Sequence, residues 1–131
     1  MIKTEEDLEG FLNRLGRHFE RLENGTFLVS VGQNLAPVAL RMAVPVLVTQ
    51  VSIGTAPSGN AEVEARVFRR LLQLNASDLM HAAFALEDGR IVLTAALELE
   101  NLDSNELEAV LADMGMALSK HVASLRELMK S

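Results

Sequence analysis

No cysteine occurs among the 131 residues, which excludes a disulfide framework, thiol chemistry and cysteine-held zinc. Tryptophan and tyrosine are also missing, so five phenylalanines supply all of the aromatic area. Long apolar runs are lacking as well. Hydrophobic residues make up 49% of the chain, yet no stretch approaches the roughly 18 uninterrupted apolar residues of a membrane span. The opening segment, Met1-Ile2-Lys3-Thr4-Glu5-Glu6, has none of the basic-then-apolar layout of a secretory signal. A soluble cytoplasmic protein with no membrane partner is expected. Cations are scarce, with 12 Lys and Arg against 18 Asp and Glu, a net charge of −6. Sequence-independent nucleic-acid binding depends on neutralising phosphates, so no nucleic-acid partner is expected. The length suits one domain spanning residues 1–131.

Chemistry-bearing motifs are equally few. His18, His81 and His121 each stand alone in their elements, with no local spacing that would form a metal site. His121 falls on an apolar stripe and reads as a satisfied buried or interfacial histidine, whereas His18, beside Arg17, reads as a surface residue. The Gly54–Gly59 loop, GTAPSG, lacks the Gly-Lys-Ser/Thr ending of a phosphate loop, and no serine sits in a nucleophile elbow. Glu98, Glu100, Asp103, Glu106 and Glu108 straddle a strand end and a helix start, where capping accounts for several of them. Arg66, Arg69 and Arg70 form a cationic cluster that reads as a solvated helix face. No enzyme, metal or cofactor is expected; a small hydrolase or isomerase with an unrecognised site is the enzymatic alternative.

What is present is an organised pattern of elements. The stretch His81–Asp103 reads as two strands joined at Asp88-Gly89, a dipeptide suited to a two-residue turn with positive φ at both positions. Pairing across it sets Glu87 opposite Arg90, Leu86 opposite Ile91, Ala85 opposite Val92, Phe84 opposite Leu93 and Ala83 opposite Thr94. Period-two alternation then gives one bulky face, with Phe84, Leu86, Ile91, Leu93 and Leu97 expected in a single core. The other face is small, carrying Ala83, Ala85, Thr94 and Ala96.

Upstream, Thr4 and three acids open a helix whose apolar positions recur through Leu8, Phe11, Leu12, Leu15, Phe19 and Leu22, with Asn24-Gly25 ending it. Thr26–Gly32, Leu35–Met42 and Val46–Ile53 read as strands. Pro37 is expected at an edge or a strand start, because proline cannot donate to a ladder. Asn60 caps a second helix with the stripe Val63, Val67, Leu71 and Leu74, closed by Asn75-Ala76-Ser77-Asp78. Asn75-Ala76-Ser77 matches a glycosylation sequon but reads as helix-end chemistry. Asp103 and Glu106 form a capping box for a last helix roughly 40 Å long, expected to lie across a sheet. The expected fold is α+β: a five-stranded antiparallel sheet with three helices in the order α-β-β-β-α-β-β-α.

This order resembles the class I type III secretion chaperone fold of the Tir chaperone family, together with the related YbjN-like domains. The local match lies in Leu71-Leu72-Gln73-Leu74-Asn75, in Phe84 to Leu93 around Asp88-Gly89, in Leu97 to Asp103, and in Leu107 and Leu111. The resemblance implies a non-catalytic homodimer that holds an extended segment of an effector-like partner along apolar grooves and sheet edges. The alternative is a YbjN-like adaptor or regulatory protein with no role in export. The partner segment is expected on the strands between Thr26 and Ile53, at Phe27, Val29, Val31, Val38, Leu40, Val46 and Val48, because one core can cover only one face of a sheet. A core that uses both faces, with a helix on each, is the competing possibility. The dimer contact is expected at His81, Ala83, Ala85 and Thr94, where small residues permit close approach. The resemblance adds Val67 and Leu71 of the second helix.

Overall fold

The computed structural model describes residues 2–130. Among them the order is α1 (Glu5–Leu15), β1 (Phe19–Arg21), β2 (Phe27–Val29), β3 (Val38–Ala43), β4 (Val46–Thr55), α2 (Ala61–Ser77), β5 (Ala83–Glu87), β6 (Arg90–Glu98) and α3 (Ser104–Met129). The strands form one antiparallel sheet in the order β1-β2-β3-β4-β6-β5. The architecture is α+β as expected, with one more strand than the five read from the sequence.

The extra strand comes from a helix that ends early. Thr4 Oγ1 accepts the Asp7 N–H at 3.1 Å, and the Asp7 carboxylate accepts the N–H groups of Lys3 and Thr4 at 2.9 and 3.0 Å. These two backbone donors hold the Asp7 carboxyl below the usual aspartate range. The apolar stripe predicts continuation through Phe19 and Leu22, but Gly16 takes the left-handed conformation at φ 77° and stops the helix after Leu15. Phe19 therefore sits in β1, its ring 6.1 Å from that of Phe27. Pro37 stands just before β3, an interior strand, so it marks a strand start; the sheet edges are β1 and β5.

The hairpin register agrees with the sequence at all five pairs from Ala83↔Thr94 to Glu87↔Arg90. Asp88 and Gly89 both take positive φ, as the two-residue turn requires. Phe84, Ile91 and Leu93 are buried, and Leu97 packs against the core half-buried. Leu86 departs from expectation: it shares their face, yet at the tip of an edge strand it lies 58% exposed.

All three helices cover this same face. Leu8 and Leu12 of α1, Val67 and Leu74 of α2, and Leu107, Leu111, Met114 and Leu125 of α3 form one cluster with Phe27, Leu40, Leu47 and Leu93. The expected capping box closes the start of α3, where the Glu106 N–H donates to Asp103 at 2.8 Å. A glycine in mid-helix normally weakens it by about 1 kcal/mol relative to alanine. Gly115 is tolerated because α3 presses onto the chain there: a Cβ at that position would lie 2.7 Å from the Val31 carbonyl oxygen.

Candidate partner-binding surface

Among the described residues, no helix lies over the second face of the sheet. Cross-strand register aligns Glu20, Leu28, Ala39, Gln50, Thr94 and Ala83 in one row, and Arg41, Val48 and Ala96 in the next. These positions are half-buried or exposed, whereas Val92, in a further row of this face with Ser52 and Ala85, is buried. Polar side chains on these strands bond to one another: Gln50 Nε2 donates to Glu87 at 3.3 Å, while Arg90 donates to Ser52 at 2.8 Å and to Thr55 at 3.2 Å. Between these groups and β3 lies a shallow depression of about 500 Å³, lined by Thr26, Ala39, Arg41, Val48, Gln50 and Glu87.

At the β1 edge, His18 pairs with Ser30 and Leu22 with Thr26 through main-chain bonds of 2.9 and 2.8 Å. Antiparallel alternation then turns the N–H and C=O groups of Phe19 and Arg21 outward. Among the described residues, no hydrogen bond fills them on that side. Charge fixes the strand in place. The Arg17 guanidinium grips Glu108 of α3 with two contacts of 2.8 Å and donates to the Ser30 carbonyl at 3.1 Å. Arg21 reaches Glu5 at 2.8 Å, Glu6 at 3.2 Å and Glu9 at 3.9 Å, and stacks over Phe27. The hydrogen bonds that Arg21 donates to Glu5 and Glu6 raise its pKa further.

The partner-segment residues inferred from the sequence divide between the two faces. Phe27, Val29, Val38 and Leu40 are fully buried beneath the helices, closed to any ligand in this conformation. Val46 and Val48 lie half-buried on the open face, and Val31 is half-buried after β2. The dimer residues divide similarly: Val67 and Leu71 face the core, His81 and Ala83 are exposed, and Ala85 and Thr94 are half-buried. Sequence reasoning missed Leu28, Ala39, Arg41 and Gln50; their places in the alternation, opposite buried neighbours, carried the signal. It also missed an apolar strip along α2 and β5, where Leu72 is 69% and Leu86 58% exposed, with Phe68 between them.

His121 is buried, its Nε2 3.1 Å from Asp78 Oδ2, which agrees with a satisfied core histidine. The Ser77 hydroxyl, then Lys120 and His121, lower the Asp78 pKa. Among the described residues, no group of three His, Asp or Glu side chains could hold a metal ion, and no helix is long and apolar enough to cross a membrane.

This architecture has relatives. The CesT_Tir_1 family model matches the chain over residues 1–131. The chain belongs to the type III secretion chaperone family. The family fold recurs in solved structures. One is the heterodimeric ExoU–SpcU complex from the type III secretion system of Pseudomonas aeruginosa, with TM-score 0.66 and 22% identity over 92% of this chain and 96% of that one. YbjN, a putative transcription regulator from E. coli, aligns with TM-score 0.68 and 15% identity over 95% and 94% of the two chains. The Yersinia pestis secretion chaperone SycH, in complex with a fragment of YscM2, gives TM-score 0.57 and 22% identity over 93% and 99%. No curated protein sequence matches this family member.

Proposed function

We propose that this protein is a non-catalytic, cytoplasmic chaperone of the class I type that holds an extended segment of a partner protein. The observation that carries this reading is the one-sided sheet. All three helices cover one face, while the other face and the β1 edge stay free. An extended chain adds to such an edge through main-chain hydrogen bonds, here at Phe19 and Arg21, and seats alternate side chains on the adjoining surface. Val46 and Val48 offer apolar contact there, with Leu28 and Ala39 beside them. Phe27, Val29, Val38 and Leu40 act from beneath as the rigid support. The relatives solved as chaperone complexes with protein partners support the same role.

The protein works as a homodimer in this reading. Ala83, Ala85 and Thr94, with His81 beside them, form a small patch on the open face, with the apolar strip of Leu72 and Leu86 around the β5 edge from it, and a symmetric contact would use the same surface from both copies. Val67 and Leu71 hold α2 in place behind it. Hydrogen exchange along β1 to β4, with and without a candidate partner segment, tests the chaperone role. Slower exchange at Phe19 and Arg21 on binding is expected. A confirmed partner that leaves both amides unchanged would overturn the strand-addition site.

A second reading, an adaptor or regulatory protein with no part in export, is favoured by the likeness to YbjN. The net charge of −6 opposes direct nucleic-acid contact in either case. Partners recovered from the native cell separate the two: an exported protein supports the chaperone, and a folded cytoplasmic one supports the adaptor.

A further inference from the structure

The outermost strand at the opposite end of the sheet is not open in the way β1 is. In β5 the outward main-chain groups belong to Phe84 and Leu86, because Ala83, Ala85 and Glu87 turn theirs toward β6. Asn75, in the last turn of α2, meets Phe84 with both ends of its amide. Its Oδ1 accepts the Phe84 N–H at 2.7 Å, and its Nδ2 donates to the Phe84 carbonyl at 3.0 Å. A primary amide matches a peptide unit in its donor and acceptor spacing, so this side chain occupies the place of one residue of a neighbouring strand. One step earlier, the Asp113 carboxylate of α3 accepts the N–H groups of His81 at 2.8 Å and Ala82 at 3.0 Å, with Met80 at 3.2 Å. Within β5 only Leu86, near the turn, keeps outward groups with no hydrogen bond among the described residues; the Ala82 carbonyl, just ahead of the strand, accepts none either.

We propose that Asn75 and Asp113 close the β5 edge to strand addition, so that any second copy or partner meeting this end docks through side chains and not through a continued sheet. An unprotected edge strand invites pairing with another chain, and covering it is a general defence. A single remaining pair of groups at Leu86 is too short a register to hold a strand. The inference concerns the edge opposite the proposed partner site and is independent of that reading. It also limits dimer geometry: contact by way of Leu72, Ala85 or Leu86 leaves the two sheets separate.

The test is amide hydrogen exchange on the full chain and on Asn75→Ala, each over a wide range of protein concentration. In the natural sequence, Phe84 is protected at every concentration, and any protection that Leu86 gains in a dimer comes without a main-chain bond to the second copy. In dilute Asn75→Ala, the Phe84 amide is expected to exchange roughly tenfold faster, the loss of one ordinary hydrogen bond. As concentration rises, Phe84 and Leu86 should gain protection together, because both point outward and pair only when two β5 edges meet. Unchanged exchange in β4 shows that the fold is retained. Should Asn75→Ala not fold, Asn75→Ser and Asp113→Ala make the same comparison, the latter freeing Ala82. A main-chain hydrogen bond between Leu86 and a second copy of the natural sequence, seen as antiparallel backbone contacts between labelled and unlabelled copies, would overturn the proposal. So would folded variants that show no concentration-dependent protection up to their solubility limit.

Discussion

The two faces of the sheet share the same strands and the same two-residue alternation, yet they do different work. Along β4, Leu47, Val51 and Ile53 are buried, whereas Val46 and Val48 stay half-buried and Ser52 is exposed. The difference lies in what comes to meet each face. Three amphipathic helices have only one sheet to cover, and all of them pack on the side where Phe27, Leu40, Ile91 and Leu93 stand. The other face holds alanine, threonine and paired polar groups with Leu28, Val46 and Val48 half-buried among them, so it costs less to leave in water. Stability is thus concentrated on one side and accessibility on the other.

Leu93→Ala is the most severe way to break that comparison. Leu93 has no exposed surface, and its truncation should destabilise the fold by roughly 2–5 kcal/mol, while Ala96→Ser on the open face should stay within about 0.5 kcal/mol. Urea unfolding measures both, and equal losses would mean that the second face is also a core. Gly115→Ala probes how tightly α3 is pressed down. Its new Cβ would meet the Val31 carbonyl oxygen at 2.7 Å, so overpacking of roughly 1–3 kcal/mol should outweigh the gain of about 1 kcal/mol in helix propensity. A more stable variant would show that α3 has room to lift.

Smaller effects sharpen the picture. The Asp78 pKa is lowered by Ser77, Lys120 and His121, so its contribution is present above the ordinary aspartate value of 3.8. That contribution is lost as pH falls through the lower folded value. Asp78→Asn should therefore unfold with a shallower acid limb in a series of urea midpoints. An unchanged limb would mean that the α2–α3 junction carries no net charge linkage. Ala85→Arg should leave the melting curve nearly unchanged and shift the protein toward monomer in sedimentation. Natural protein that sediments as a monomer at high micromolar concentration would remove the dimer.

Legibility in the sequence followed the range of the interactions involved. The Asp88-Gly89 turn, the hairpin register and the Asp103–Glu106 cap were readable because each is settled within a few residues by backbone sterics or a single hydrogen bond. The end of α1 was not, because Phe19 and Leu22 continue the helical spacing while Gly16 ends the helix. The partner-segment residues were read as one set, yet Phe27 and Val29 lie under the helices while Val46 and Val48 do not. Alternation separates neighbouring residues into two faces without saying which face a distant helix will cover.

The sequence by itself determined the element types, the strand pairing near the turns and the absence of thiol chemistry, since these depend on local geometry or composition. Tertiary structure alone decided that all three helices share one face, that β1 exists and forms an edge, and that Asn75 reaches Phe84 across the chain reversal. Those outcomes depend on which surfaces meet once the chain is compact. Burial is a property of the assembled layers, and no single segment carries it.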